Sequence, residues 1–98
     1  MESEKVIEKY LVEQVESLGG LCRKYNSGIR GVPDRICFFP KGVLKWVELK
    51  SEGERPTDAQ VREHQRMIQR GHHVWVIDLK QTVDLLIEEV KYELFRNI

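Results

Sequence analysis

Three residues between positions 34 and 50 could do chemistry together. On a strand, side chains two apart point to the same face, so Glu48 and Lys50 project together while Val47 and Leu49 face the other way. Asp34 stands at the start of the partner strand, across a turn whose length would return Glu48 toward it, so both carboxylates can converge at one end of a hairpin. Paired carboxylates supply hard oxygen ligands for Mg²⁺, which prefers octahedral coordination at about 2.0 to 2.1 Å and is commonly held by one or two carboxylates plus a phosphate. Lys50, beside them, could orient or deprotonate a water, or hold negative charge developing on a phosphate. The same pattern also suits an ordinary cross-strand ion-pair set on a solvated face, each pair worth roughly a few tenths of a kcal/mol. Spacing alone leaves both uses open.

The elements that must position these residues follow from periodicity and punctuation. Ile7, Tyr10, Leu11, Val15 and Leu18 recur at helical spacing, and Gly19-Gly20 supplies a stop, which predicts a helix over about 4 to 18. Leu21 to Tyr25 reads as a short strand and Asn26 to Pro33 as a loop. Arg35 to Phe39, a turn at Pro40-Lys41-Gly42, and Val43 to Lys50 form the hairpin. Thr57-Asp58-Ala59-Gln60 has the form of a capping box, opening a helix that should stop at Gly71. His73 to Asp78 is a β-branched, aromatic strand, and Thr82 to Phe95 returns to helical spacing through Val83, Leu86, Ile87, Val90 and Leu94. The order is α-β-β-β-α-β-α, an α/β chain whose strand-helix-strand unit implies a crossover and a mixed sheet flanked by helices.

Composition bounds the class. At 98 residues, 41% hydrophobic, 33% charged and net charge zero, residues 1–98 read as one compact domain rather than two. Gly and Pro total only ten and aromatics reach 8%, which excludes disordered, collagen-like and mucin-like chains. No apolar run approaches the roughly 18 to 20 residues of a membrane span, and the first residues lead into a charged amphipathic pattern, so a cytoplasmic protein is expected. Cys22 and Cys37 make no dense disulfide framework and read as small apolar side chains in a reducing compartment. No spacing among them and His64, His72 or His73 suits structural zinc. The histidines are read as structural or surface residues, and Trp46 and Trp75 as core or interface.

The wording of the central segment adds a resemblance. Gly31-Val32-Pro33-Asp34, then Trp46-Val47-Glu48-Leu49-Lys50, then Gln60 on the next helix, resembles the PD-(D/E)XK nuclease superfamily and within it the stand-alone VRR-NUC (virus-type replication-repair nuclease) domain. The likeness also takes in Ile7 to Leu11, the Gly19-Gly20 break and the Gly71 to Asp78 strand, nearly the whole chain. It implies a restriction-endonuclease-like core and metal-assisted phosphodiester hydrolysis with Mg²⁺, for which Mn²⁺ would substitute. Asp34 and Glu48 would be metal ligands with the Leu49 backbone carbonyl, and Lys50 the catalytic lysine. Gln60 would sit at the site's edge, or else simply close the capping box with Thr57. Family members also use a glutamate from the first helix, here Glu8 or Glu4 one turn apart, with Glu8 favoured by its place in the Ile7-Glu8-Lys9-Tyr10-Leu11 string.

The zero net charge is unevenly spread. Residues 21 to 55 carry eight Lys/Arg against four acids, while both flanking segments are acidic on balance. Arg23, Lys24, Arg30, Arg35 and Lys41 are therefore candidates to hold DNA phosphates, with Lys24 and Arg30 preferred and Arg35 having a second use as partner for an acid. No base-reading element stands out, so recognition of backbone shape or strand geometry is expected. The leading expectation is a structure-specific DNA endonuclease resembling a Holliday-junction resolvase. Two cuts in a symmetric junction call for two sites and hence a homodimer, and stand-alone members of the family are often phage-encoded. The alternatives are a nicking or flap nuclease acting as a monomer, a non-catalytic DNA-binding module of the same fold, and an interaction domain unrelated to nucleic acid.

Overall fold

The computed structural model of the protein describes residues 1–96. Its elements are helix α1 (Glu4–Ser17), strands β1 (Leu21–Lys24) and β2 (Arg35–Phe38), a 3₁₀ turn at Pro40–Gly42, strand β3 (Leu44–Leu49), helix α2 (Asp58–Gln69), strand β4 (Val74–Ile77) and helix α3 (Lys80–Phe95). The predicted order holds element by element. The strands lie side by side as β1-β2-β3-β4, antiparallel except for the β3–β4 pair, which is parallel across the α2 crossover.

Alternation along the strands divides the sheet into two faces. Cys37, Val47, Leu49 and Ile77 turn to one side, where they form a single core with Ile7, Leu11 and Val15 of α1 and Val83, Leu86, Ile87, Val90 and Leu94 of α3. Each side chain of this size contributes about 1.5 to 3 kcal/mol on burial, so this face holds most of the stability. The other face carries Ile36, Phe38, Leu44, Trp46, Glu48 and Lys50. Helix α2 packs against β4 and leaves the half of this face around β1, β2 and the start of β3 open, with Leu21 50%, Phe38 41% and Leu44 42% exposed. Among the described residues no helix is long and apolar enough to cross a membrane.

The helix ends show what fixes their lengths. The Ser3 side chain accepts the Val6 N–H at 3.2 Å and starts α1. Helix α2 opens on the predicted capping box, the Gln60 N–H donating to Thr57 Oγ1 at 3.2 Å and the Thr57 N–H to Gln60 Oε1 at 2.9 Å. Helix α3 begins two residues before the predicted Thr82, because the Glu2 carboxylate accepts the Lys80 N–H at 2.9 Å and places negative charge at the helix N-terminus. The Glu2 N–H in turn donates to Glu52 Oε1 at 2.8 Å, and the Glu52 N–H to the Glu2 carbonyl at 3.0 Å.

Gly31 joins the β1–β2 loop to α2. Its φ is +93°, and a Cβ there would lie 2.4 Å from the Ala59 carbonyl oxygen and 3.1 Å from Glu63 Cβ. Only glycine allows both the left-handed backbone and the close approach. Gly31→Ala is expected to cost about 2 to 3 kcal/mol, read as a lower midpoint in urea denaturation with an unchanged slope; a midpoint equal to that of the native protein would show that the loop does not bear on α2.

Candidate active site

The hairpin register brings the two acids together. Arg35 pairs with Val47, so the next pair outward places Asp34 opposite Glu48. The Leu49 N–H donates to Asp34 Oδ1 at 3.3 Å, turning the Asp34 side chain across the end of β3. Glu48 is only 4% exposed, and its Oε1 is buried with no hydrogen-bond partner. Lys50, half-buried, continues the same face of β3, its N–H donating to the Ile77 carbonyl at 2.9 Å.

Burial without a partner has an electrostatic consequence. Loss of solvation and, next, the neighbouring Asp34 charge raise Glu48 to about 7, against the lowering influence of Lys50; Glu4 adds a further upward push and Arg35 a downward one. A carboxylate placed beside another carboxylate in a poorly solvated position would gain from a bound cation. Among the described residues no cluster of three or more His, Cys, Asp or Glu side chains forms a ready-made metal cage. Two carboxylates and a strand carbonyl nevertheless fit a hard divalent ion that takes its other ligands from water and a phosphate, the usual arrangement for Mg²⁺.

Arg35 occupies a different place from the one expected of a phosphate-holding residue. It is 8% exposed and lies on the core side of β2, where its Nε donates to Glu8 Oε2 at 3.0 Å, and its Nη2 to the same oxygen. Its Nη1 donates to the Asp34 carbonyl at 3.0 Å and lies 3.3 Å from Asp34 Oδ2. Arg35 therefore serves the alternative use, clamping α1 to the Asp34 corner, and its buried guanidinium is withdrawn from any phosphate. The same bond holds the Glu8 carboxyl below its ordinary value and ties Glu8 to the clamp. Glu4, one turn earlier and half-buried, is the α1 glutamate whose charge bears on Glu48.

No family profile matches the sequence. A solved structure described as a VRR_NUC domain superposes with a TM-score of 0.80 at 41% identity, covering 90% of this chain and 97% of that one. A curated protein of Acyrthosiphon pisum secondary endosymbiont phage 1, named "Putative nuclease p44", is 45% identical over 84 residues, 85% of this chain and 90% of its own length. The chain belongs to the VRR-NUC family of nuclease domains.

In this VRR-NUC nuclease domain, the mixed sheet with flanking helices is the PD-(D/E)XK-like core, and Asp34, Glu48 and Lys50 stand at one end of it. Gln60 spends its carbonyl oxygen on the capping box, leaving its NH₂ group as the free donor at the start of α2. Lys24 and Arg30 are exposed on β1 and the following loop. Arg23 is also exposed and donates to the Cys22 carbonyl, while Lys41 reaches the Leu94 carbonyl at the far end of the sheet. His64, set aside by sequence reasoning, is the buried residue of α2, with an Nε2 that has no partner. Burial holds His64 below its ordinary value, and the Lys50 charge acts in the same direction. Its signal in the sequence was the Gln60–His64 spacing of one helical turn.

The Glu48 shift predicts a pH dependence of stability. A glutamate at about 7 in the folded chain and at 4.5 when unconstrained binds its proton more tightly when folded, so metal-free stability falls as pH rises through that interval and stays reduced above it. Glu48→Gln removes the charge, and in chelator at about pH 8 it should stabilise the protein by on the order of 2 kcal/mol, with little change near the ordinary glutamate value. Thermal melts of both proteins at the two pH values measure this; an equal difference at both would refute it.

Proposed function

We propose that this nuclease is a Mg²⁺- or Mn²⁺-dependent, structure-specific DNA endonuclease that acts as a homodimer on branched DNA such as four-way junctions. The observation that carries the metal dependence is the Asp34–Glu48 pair, with a buried Glu48 oxygen lacking any partner and Lys50 on the same strand face. Asp34, Glu48 and the Leu49 carbonyl are the groups that would hold the ion, with Glu4 rather than Glu8 as the contributor from α1, since Arg35 already occupies Glu8. The chemistry such an ion supplies is neutralisation of phosphate charge and acidification of water. Lys50 holds the negative charge that grows on the scissile phosphate and orients the attacking water. Gln60 offers its amide donors at the site's edge, and Lys24 and Arg30 hold flanking phosphates by charge alone, which suits recognition of shape over sequence, whereas Arg23, opposite Ile36, lies on the face that a second copy would cover.

Support for the dimer is the open half of the sheet's second face. Leu21, Phe38 and Leu44 form an apolar surface across three strands, with Ile36 and Trp46 half-buried among them, and a second copy of the chain is the occupant proposed for it. Two copies would present two cleavage sites to a symmetric junction. A monomer cutting flaps or nicking duplex is the competing outcome.

Cleavage of labelled four-way junction, flap, single-stranded and duplex DNA in Mg²⁺ and in Mn²⁺ tests the reading. Junction-selective cutting that disappears in chelator and falls at least about 100-fold in Lys50→Ala is expected. Cleavage that persists in chelator would overturn the metal site, and flap cutting without junction cutting would overturn the substrate. Light scattering should give twice the monomer mass for the native chain and the monomer mass for Leu44→Lys, with junction cleavage lost in parallel.

A further inference from the structure

Away from the carboxylates, the two cysteines of the chain stand opposite each other across β1 and β2, Cys22 paired with Cys37. The Tyr25 N–H donates to the Asp34 carbonyl at 2.8 Å, which makes Tyr25 and Asp34 a hydrogen-bonded pair. Counting back along the ladder, Arg23–Ile36 is again hydrogen-bonded, and Cys22–Cys37 falls at a non-hydrogen-bonded position. At such positions the Cα atoms approach to about 4.5 Å and the side chains lie closest. That separation lies within the roughly 4.4 to 6.8 Å that a disulfide spans. The sulfur atoms are already 3.9 Å apart, the Cys37 thiol directed at Cys22 Sγ.

The surroundings of the two sulfurs differ. Cys22 lies on the edge strand and is half-buried, whereas Cys37 is wholly buried in the core. The hydrogen bond from Cys37 holds the Cys22 thiol below its ordinary value, and the same bond together with burial pushes Cys37 up. Cys22 is thus the reachable nucleophile, and Cys37 sits directly behind it.

We infer that Cys22 and Cys37 form a reversible disulfide by exchange with a small-molecule disulfide of the oxidised-glutathione class, tethering edge strand β1 to β2. The Cys22 thiolate attacks one sulfur of the small disulfide, breaking its S–S bond and releasing one small thiol, which carries off the Cys22 proton. The Cys37 sulfur then attacks Cys22 Sγ in the mixed disulfide, the protein S–S bond forms, and the second small thiol leaves with the Cys37 proton. Two protein thiols are oxidised and one small disulfide is reduced to two thiols. The ring so closed contains the Gly31-Val32-Pro33-Asp34 segment, so the tether holds the loop that presents Asp34. The inference rests on strand register and not on the nuclease activity.

The test is incubation of the folded full chain with oxidised glutathione, followed by thiol counting, intact mass and thermal melting. Both free thiols should disappear with a mass change of two hydrogens, and the Tm should rise by roughly 10 °C and return on reduction. The Cys37→Ala variant should stop at a mixed disulfide on Cys22, and Cys22→Ala should take up no glutathione. A native chain that keeps both thiols, stops at the mixed disulfide, or cross-links to a second chain would overturn the proposal, and each is read on the native protein whether or not a variant folds.

Discussion

Two carboxylates facing each other across a hairpin, one of them buried, is the arrangement around which this protein is built. Left to themselves, Asp34 and Glu48 would separate or take up a proton, because neither burial nor a like charge favours a second negative charge. Both are held by features outside the pair. Register sets Asp34 opposite Glu48, the Leu49 N–H fixes the Asp34 side chain, and Arg35 draws the Asp34 corner onto Glu8 of α1. Beneath them, the core face shared by α1 and α3 supplies the cohesion that such a strained end requires. The protein keeps an electrostatic cost in its site and offsets it with apolar burial on the opposite side of the same sheet.

That division explains which parts of the molecule were legible in the sequence. Helices and strands with one apolar face announce themselves by period, and all seven predicted elements appear in order. Their ends were less readable wherever the capping group comes from elsewhere in the chain. Thr57 and Gln60 are three residues apart and visible as a capping box, whereas the Glu2 carboxylate that starts α3 at Lys80 lies 78 positions away. No local pattern carries that information.

The site divides in the same manner. The convergence expected of Asp34 and Glu48, with Lys50 on the same face, rests on strand alternation and hairpin length, which are local rules, and the register agrees with it. The roles of Arg35 and Glu8 were not decidable, since an arginine beside an aspartate suits a phosphate or a carboxylate equally until tertiary packing places α1 over β2. The choice between Glu4 and Glu8 depends on that same contact. His64 was read as structural or surface because a buried imidazole and an exposed one look identical in sequence; the seating of α2 against the sheet decides for the buried, structural place.

The residues ahead of α1 also determine when the protein can become whole. Glu2 binds Glu52 and the first turn of α3, and the Ile7, Leu11 and Val15 stripe is covered by α3. During translation the first helix leaves the ribosome with its apolar side bare and its leading carboxylate idle, and both wait for α3 to emerge. Vectorial synthesis therefore delays closure of the core until α3 has been made, and a nascent chain that has already produced Asp34, Glu48 and Lys50 still lacks the packing that holds them at one corner.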